Sequence, residues 1–148
     1  MDSPSADMTE RMAKRLSARL KGGEVIELVG DLGSGKTTFV RGLAAGLNSR
    51  DVVASPSFTI SKVYRAGALA IHHFDFYRLR EAGVMANELA ESAGDPGVIT
   101  VVEWADIVQH VLPACRLTVR FTPQADGVRR LTFQCPNALH YAVERLDH

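Results

Sequence analysis

"ELVGDLGSGKTTFVRGL", residues 27–43, sets three glycines, a lysine and two threonines between an apolar run and an amphipathic one. Gly30, Gly35, Lys36 and Thr37 fit the spacing G-x-x-x-x-G-K-[ST], and each position has a physical task. Glycines let the chain curl until successive backbone N–H groups face one point, where an anion can sit. A helix opening at Lys36 adds the positive end of its dipole. Lys36 then reaches the β and γ phosphates as a point charge, and the Thr37 hydroxyl is a magnesium ligand. The expected nucleotide-binding set is the turn Asp31, Leu32, Gly33, Ser34 and Gly35, continuing into Lys36, Thr37 and Thr38. A chain this long matches the spacing by chance about once in 200. Here the motif also follows a predicted strand and opens a predicted helix, so a nucleoside triphosphate is expected.

Outward from the loop the pattern is α/β. Residues 8–20 carry Met8, Met12, Leu16 and Leu20 at helical spacing, and 24–29 read as a buried strand. Residues 36–47 read as a helix, 58–64 as a strand, and 69–76 as its hairpin partner across "RAGA". A helix is predicted over 81–92, stopped by "AGDPG", then a fully apolar strand over 98–104. "RLTVRF" and "RRLTFQC" alternate around "TPQADGV" as an antiparallel pair, and a short helix over 138–146 closes the chain. The expected fold is one P-loop NTPase domain over residues 1–148. Its central sheet is mainly parallel with antiparallel additions, and helices lie on both faces.

Composition excludes several classes. The 148 residues are 46% hydrophobic and 23% charged, ordinary values for a globular domain. Net charge is zero, so no global field draws in nucleic acid. The first residues lack a secretory pattern, and no run is long and apolar enough for a bilayer, so a cytoplasmic protein without membrane contact is expected. There is no repeat and no domain-dividing linker. Cys115 and Cys135 have no metal-ligand spacing and read as two buried thiols.

A phosphate loop needs a carboxylate at the end of a neighbouring strand to hold magnesium. Glu103 ends "VITVVE", a run apolar enough to be central, where an idle acid is costly. Asp75 ends "LAIHHFD". Glu103 is placed on the metal with Thr37, directly or through water. Asp75 is placed beside the γ-phosphate, behind the metal's own ligands or orienting the attacking water. Lys36, Asp75 and Glu103 are the catalytic candidates, and Trp104 is read as either core or pocket wall. His72 and His73 are adjacent on a strand, face opposite sides and do not readily share a metal. Arg41 and Arg78 read as surface arginines within reach of phosphate or a partner. No N-K-x-D guanine signature occurs, which favours ATP over GTP.

"GDLGSGKTTFVRGLAAGL", "SPSFTI", "HFDFYRL" and "VEWAD", in this order and spacing, resemble the TsaE family, the small ATPase of bacterial tRNA threonylcarbamoyladenosine biosynthesis. The segments run from Gly30 to Asp106, and the flanks fit in length and pattern. The loop alone is shared by many unrelated proteins; "HFDFYRL" and "VEW" beside it give the specificity. The resemblance implies that Lys36 and Thr37 hold ATP and Mg2+, that Glu103 is the metal-side acid and that Asp75 is needed for hydrolysis. It makes residues 55–60 a nucleotide-sensing switch with Ser55, Ser57 and Thr59 as its hydroxyls, and Trp104 part of the wall. It also implies a TsaB–TsaD partner complex, with tRNA reached through that complex. Ser57, Phe76 and Ala105 depart from the usual Thr, Leu and Pro; the first keeps a hydroxyl and the others affect packing. Residues alone leave two rivals: a small-molecule or nucleoside kinase, and an ATP-binding module that never hydrolyses. No arginine-rich lid or acceptor site equips a kinase here.

Overall fold

A computed structural model, describing residues 1–146, sets the two most apolar segments side by side at the centre of one seven-stranded sheet. In chain order the elements are β1 (Asp2–Ser3), α1 (Ala6–Ser17), β2 (Val25–Val29), α2 (Lys36–Gly46), β3 (Ser61–Ala66) and β4 (Leu69–Asp75). Then follow α3 (Val84–Ala93), β5 (Val98–Glu103), β6 (Leu117–Pro123), β7 (Arg129–Gln134) and α4 (His140–Val143). Sheet order is β1-β7-β6-β2-β5-β4-β3. The four strands β6, β2, β5 and β4 are parallel, whereas β1, β7 and β3 add antiparallel edges. The mixed sheet is the one expected.

Side-chain alternation assigns the two faces. Ile26, Leu28, Ile71, Ile99, Val101 and Val119 point to one side, against Leu16 of α1 and Phe39 and Leu43 of α2. Val25, Phe74 and Val102 point to the other, against Leu89 of α3 and Val108 in the 3₁₀ turn after β5. Both faces are covered, as parallel strands require. Each of these fully buried aliphatic side chains contributes about 1.5–3 kcal/mol of transfer free energy, so the sheet centre is a stiff base for whatever its strand ends carry.

Boundaries differ from the sequence reading where loops intervene. Helix α1 begins earlier than residue 8 because Ser5 caps it, its hydroxyl accepting the Met8 N–H. The strand expected over 58–64 begins only at Ser61, since the Pro56 carbonyl accepts the N–H groups of both Thr59 and Ile60 and holds the chain in a turn. The helix expected from residue 81 starts at Val84, after Gly83 in a positive-φ conformation (φ 53°). The closing helix is divided into a 3₁₀ turn (Asn137–Leu139) and α4. Cys115 is exposed and Cys135 half-buried, both free, which corrects the expectation of two buried thiols. Among the described residues no helix is long and apolar enough to cross a membrane.

Candidate functional site

The glycine-rich turn leaves β2 at Val29 and enters α2 at Lys36. Gly30 is required by space: a Cβ there would lie 2.6 Å from Ser34 Oγ and 3.0 Å from Phe121 Cβ. Gly35 is required by conformation, with φ +107°, where an L side chain is strained. Gly35 is also the N-cap of α2, and it supplies no side-chain cap; the first turn holds no acid. The first N–H groups of a helix have no partner within it, and among the described residues no side-chain cap satisfies them either. Together with the dipole they make an anion site.

Lys36 is 6% exposed. Its Nζ donates to the Gly30 carbonyl at 2.5 Å, lies 3.9 Å from Glu103 Oε1 and sits 4.1 Å from the centroid of the Trp104 ring. Burial draws its pKa below the ordinary lysine value, and the carboxylates of Glu103, Asp75 and Asp31 work against that shift.

Strands β4 and β5 run parallel with Asp75 opposite Glu103, so their ends bring two buried acids together. Asp75 Oδ2 accepts from Ser57 Oγ at 3.0 Å and Ser55 Oγ at 3.4 Å, and Oδ1 accepts the Tyr77 N–H at 2.9 Å. The two serine hydroxyls are 2.7 Å apart. Asp75 is thereby the anchor of the 55–60 loop. Glu103 Oε2 is held by His73 Nε2 at 2.6 Å, Oε1 lies on the side of Lys36, and the residue lines the hollow. Trp104 follows in the left-handed region (φ 54°, ψ 53°), and Tyr77 lies against its ring at 4.9 Å.

One hollow of about 230 Å³ gathers most of the expected set: Leu32, Gly33, Gly35, Lys36, Thr37, Thr38, Ser55, Ser57, Asp75, Glu103 and Trp104. A second, of about 200 Å³, adjoins it through Gly33, Gly35 and Thr38, and is lined by Ser3, Ser5, Thr9, Ser34 and Arg129. Ser34 Oγ is buried there without a hydrogen-bond partner among the described residues. Asp31 and Thr59 are not brought in. Asp31 is exposed and lines a hollow beside Glu27 and Asp106, and the Thr59 hydroxyl turns to the Pro56 carbonyl. Arg78 lies over the Phe58 ring at 4.3 Å, and Arg41 lines a separate groove with Val52. His73 is a site residue that the sequence reading weighs only as a metal partner of His72. The histidines do face opposite ways, His72 to Glu88 of α3 and His73 to Glu103.

The donor chemistry fits magnesium. Thr37 and Glu103 offer hard oxygens on the rim of one hollow, and magnesium takes few protein ligands, completing its shell with phosphate oxygens and water. Among the described residues no three His, Cys, Asp or Glu side chains converge as a protein-only cage.

A glycine-turned loop between a central strand and an uncapped helix, on a mixed α/β sheet, defines a P-loop protein. The family model described as "Threonylcarbamoyl adenosine biosynthesis protein TsaE" matches residues 3–131, and the chain belongs to the TsaE family. The tRNA threonylcarbamoyladenosine biosynthesis protein TsaE of Bacillus subtilis (strain 168) is 39% identical over 127 residues, 84% of this chain and 78% of that protein. Its counterpart in Treponema pallidum (strain Nichols) is 37% identical over 134 residues, 88% and 96% respectively. A crystal structure of Bacillus subtilis YdiB aligns with a TM-score of 0.81 at 34% identity, over 99% of this chain and 92% of that one.

Proposed function

We propose that the protein is a magnesium-dependent ATPase that acts in tRNA threonylcarbamoyladenosine biosynthesis, engaging a TsaB–TsaD complex in the cytoplasm and reaching tRNA through it. The observation that carries this reading is the convergence of the uncapped α2 N-terminus, Lys36, Asp75 and Glu103 on one hollow. A site with one cation, free N–H groups and two acids suits a triphosphate and its counterion better than any neutral ligand.

Each residue has a role in that reading. The α2 N–H groups and Lys36 hold the phosphates, with Lys36 exchanging its Gly30 carbonyl for phosphate oxygen. Thr38 borders both hollows, so the nucleoside end lies in the second, beside Ser34 and Arg129. Thr37 and Glu103 hold magnesium, which offsets charge on the β and γ phosphates when bound. Trp104, with the Tyr77 ring against its own, forms one wall. Asp75 already accepts from Ser55 and Ser57. The γ-phosphate arrives among these hydroxyls, so its presence or loss reorganises the loop, and Asp75 couples that change to hydrolysis. Support for a two-state loop comes from Ile60, a β-branched residue at φ 71° that holds the far end in a strained conformation.

The test is a reconstituted tRNA modification assay with TsaB and TsaD, run with labelled ATP. Release of free phosphate, together with sustained multi-turnover modification that requires this protein, is the expected result. A labelled metabolite other than phosphate would replace the ATPase with a kinase. Full turnover without the protein would remove it from the reaction.

A further inference from the structure

His73 occupies the face of β4 that Asp75 occupies, one side-chain repeat deeper in the sheet. It is completely buried, with 0% exposure, beside the Tyr64 ring at 6.2 Å. Its register partner is Val101, two residues before Glu103, so the imidazole reaches diagonally forward to the carboxylate rather than across to a neighbour. A carboxylate offers only acceptors, so Nε2 is the ring nitrogen that carries the hydrogen in this 2.6 Å contact. Nδ1 is buried with no partner among the described residues. The only hydrogen bond this ring makes among the described side chains is therefore spent on Glu103 Oε2.

We propose that His73 is a positioning residue for the magnesium site: it binds one oxygen of Glu103 and leaves the other, Oε1, aimed at the hollow and Lys36. The inference rests on the magnesium reading above. Glutamate at a strand end has three side-chain torsions to fix, and neither Lys36 at 3.9 Å nor an apolar wall fixes them. A short hydrogen bond from a ring that cannot itself move does. The arrangement inverts the common metal-site order, in which a carboxylate stands behind a histidine ligand: here the histidine stands behind the carboxylate. A carboxylate so held meets the metal without first being ordered, and that saving appears in metal affinity rather than in phosphate binding.

The test compares ATP affinity with magnesium and with EDTA, by calorimetry, in the wild type, His73→Leu and His73→Gln. Leucine fills the space without a donor; glutamine puts an amide N–H near the place of Nε2. His73→Leu is expected to bind ATP in EDTA within about twofold of wild type and to lose about tenfold of the magnesium-dependent gain, with His73→Gln restoring most of it. If the leucine variant does not fold, His73→Asn, whose amide is too short to reach Oε2, takes its place with the same expectation. Wild-type magnesium dependence in the donor-less variant would overturn the positioning role, as would equal losses in the glutamine and donor-less variants. A wild type whose ATP affinity ignores magnesium would instead overturn the metal reading itself, and this inference with it.

Discussion

Glu27 and Glu103 stand on adjacent central strands one register step apart, and they are buried alike, 7% and 3% exposed. Their partners differ. Glu27 Oε1 accepts from Arg116 Nε at 3.0 Å and Thr118 Oγ1 at 3.4 Å, and Oε2 accepts from Gln109 at 2.8 Å. Arg116 and Gln109 also bond each other at 2.9 Å, which closes the network. Glu103 has one oxygen on His73 and one that makes no hydrogen bond among the described residues, with Lys36 Nζ 3.9 Å away. Burial of an acid therefore does not mark a function. What separates Glu103 is an oxygen without a hydrogen bond among the described residues, on an acid that lines the hollow, whereas both oxygens of Glu27 are bonded. Glu27 ties the sheet to the segment after β5; Glu103 is the acid we propose for magnesium.

The largest effect should fall on hydrolysis. Glu103→Gln keeps the shape and removes the charge, and phosphate release should drop on the order of 10²–10³-fold with folding stability within about 1 kcal/mol of wild type. Equal loss in Glu27→Gln would erase the contrast between the two acids. Lys36→Ala should weaken ATP binding by roughly 2–4 kcal/mol, the usual range for a desolvated charged contact. Unchanged affinity by calorimetry would withdraw the phosphate assignment. Glu27→Gln itself should cost about 1–3 kcal/mol of stability in urea unfolding, because Arg116 is partly exposed and recovers water. Its ATP affinity should stay within about twofold of wild type.

Smaller effects sharpen the picture. Ser57→Ala removes one neutral hydrogen bond, so ATP affinity should fall by no more than ~0.5–1.5 kcal/mol. Multi-turnover tRNA modification should fall further, because Asp75 loses its tie to the loop. Unaltered turnover would leave residues 55–60 an ordinary connection. Lys36 gives the pH dependence. Its lowered pKa means the unfolded chain binds that proton more tightly than the folded one. Between the lowered value and the ordinary 10.5, stability should rise slightly with pH while ATP affinity falls. A titration of both quantities, with Lys36→Ala as the flat control, reads this out.

The phosphate loop and the parallel centre were legible because each rests on fixed spacing: the motif constrains backbone shape, and apolar runs can only be central. Glu103 was legible for the same reason, as the first charge after five apolar or β-branched residues. Glu27 shows where that logic stops, since its partners Gln109 and Arg116 are more than 80 residues away in the chain. His73 was within reach: strand alternation places it on the face of Asp75, but considering the two histidines only as a metal pair hid it. Asp31 and Thr59 fell outside the hollow because side-chain direction in a turn follows no period. The boundaries at Ser61 and Val84 depend on a proline carbonyl and a positive-φ glycine, which hydrophobic spacing does not report.

The most direct measurement is a calorimetric ATP titration of Glu103→Gln and Glu27→Gln beside the wild type, each with and without magnesium. The wild type and Glu27→Gln should bind ATP and tighten alike when magnesium is added, and Glu103→Gln should bind without tightening. Full magnesium tightening in Glu103→Gln, or its loss in Glu27→Gln, would contradict the division between the working acid and the structural one.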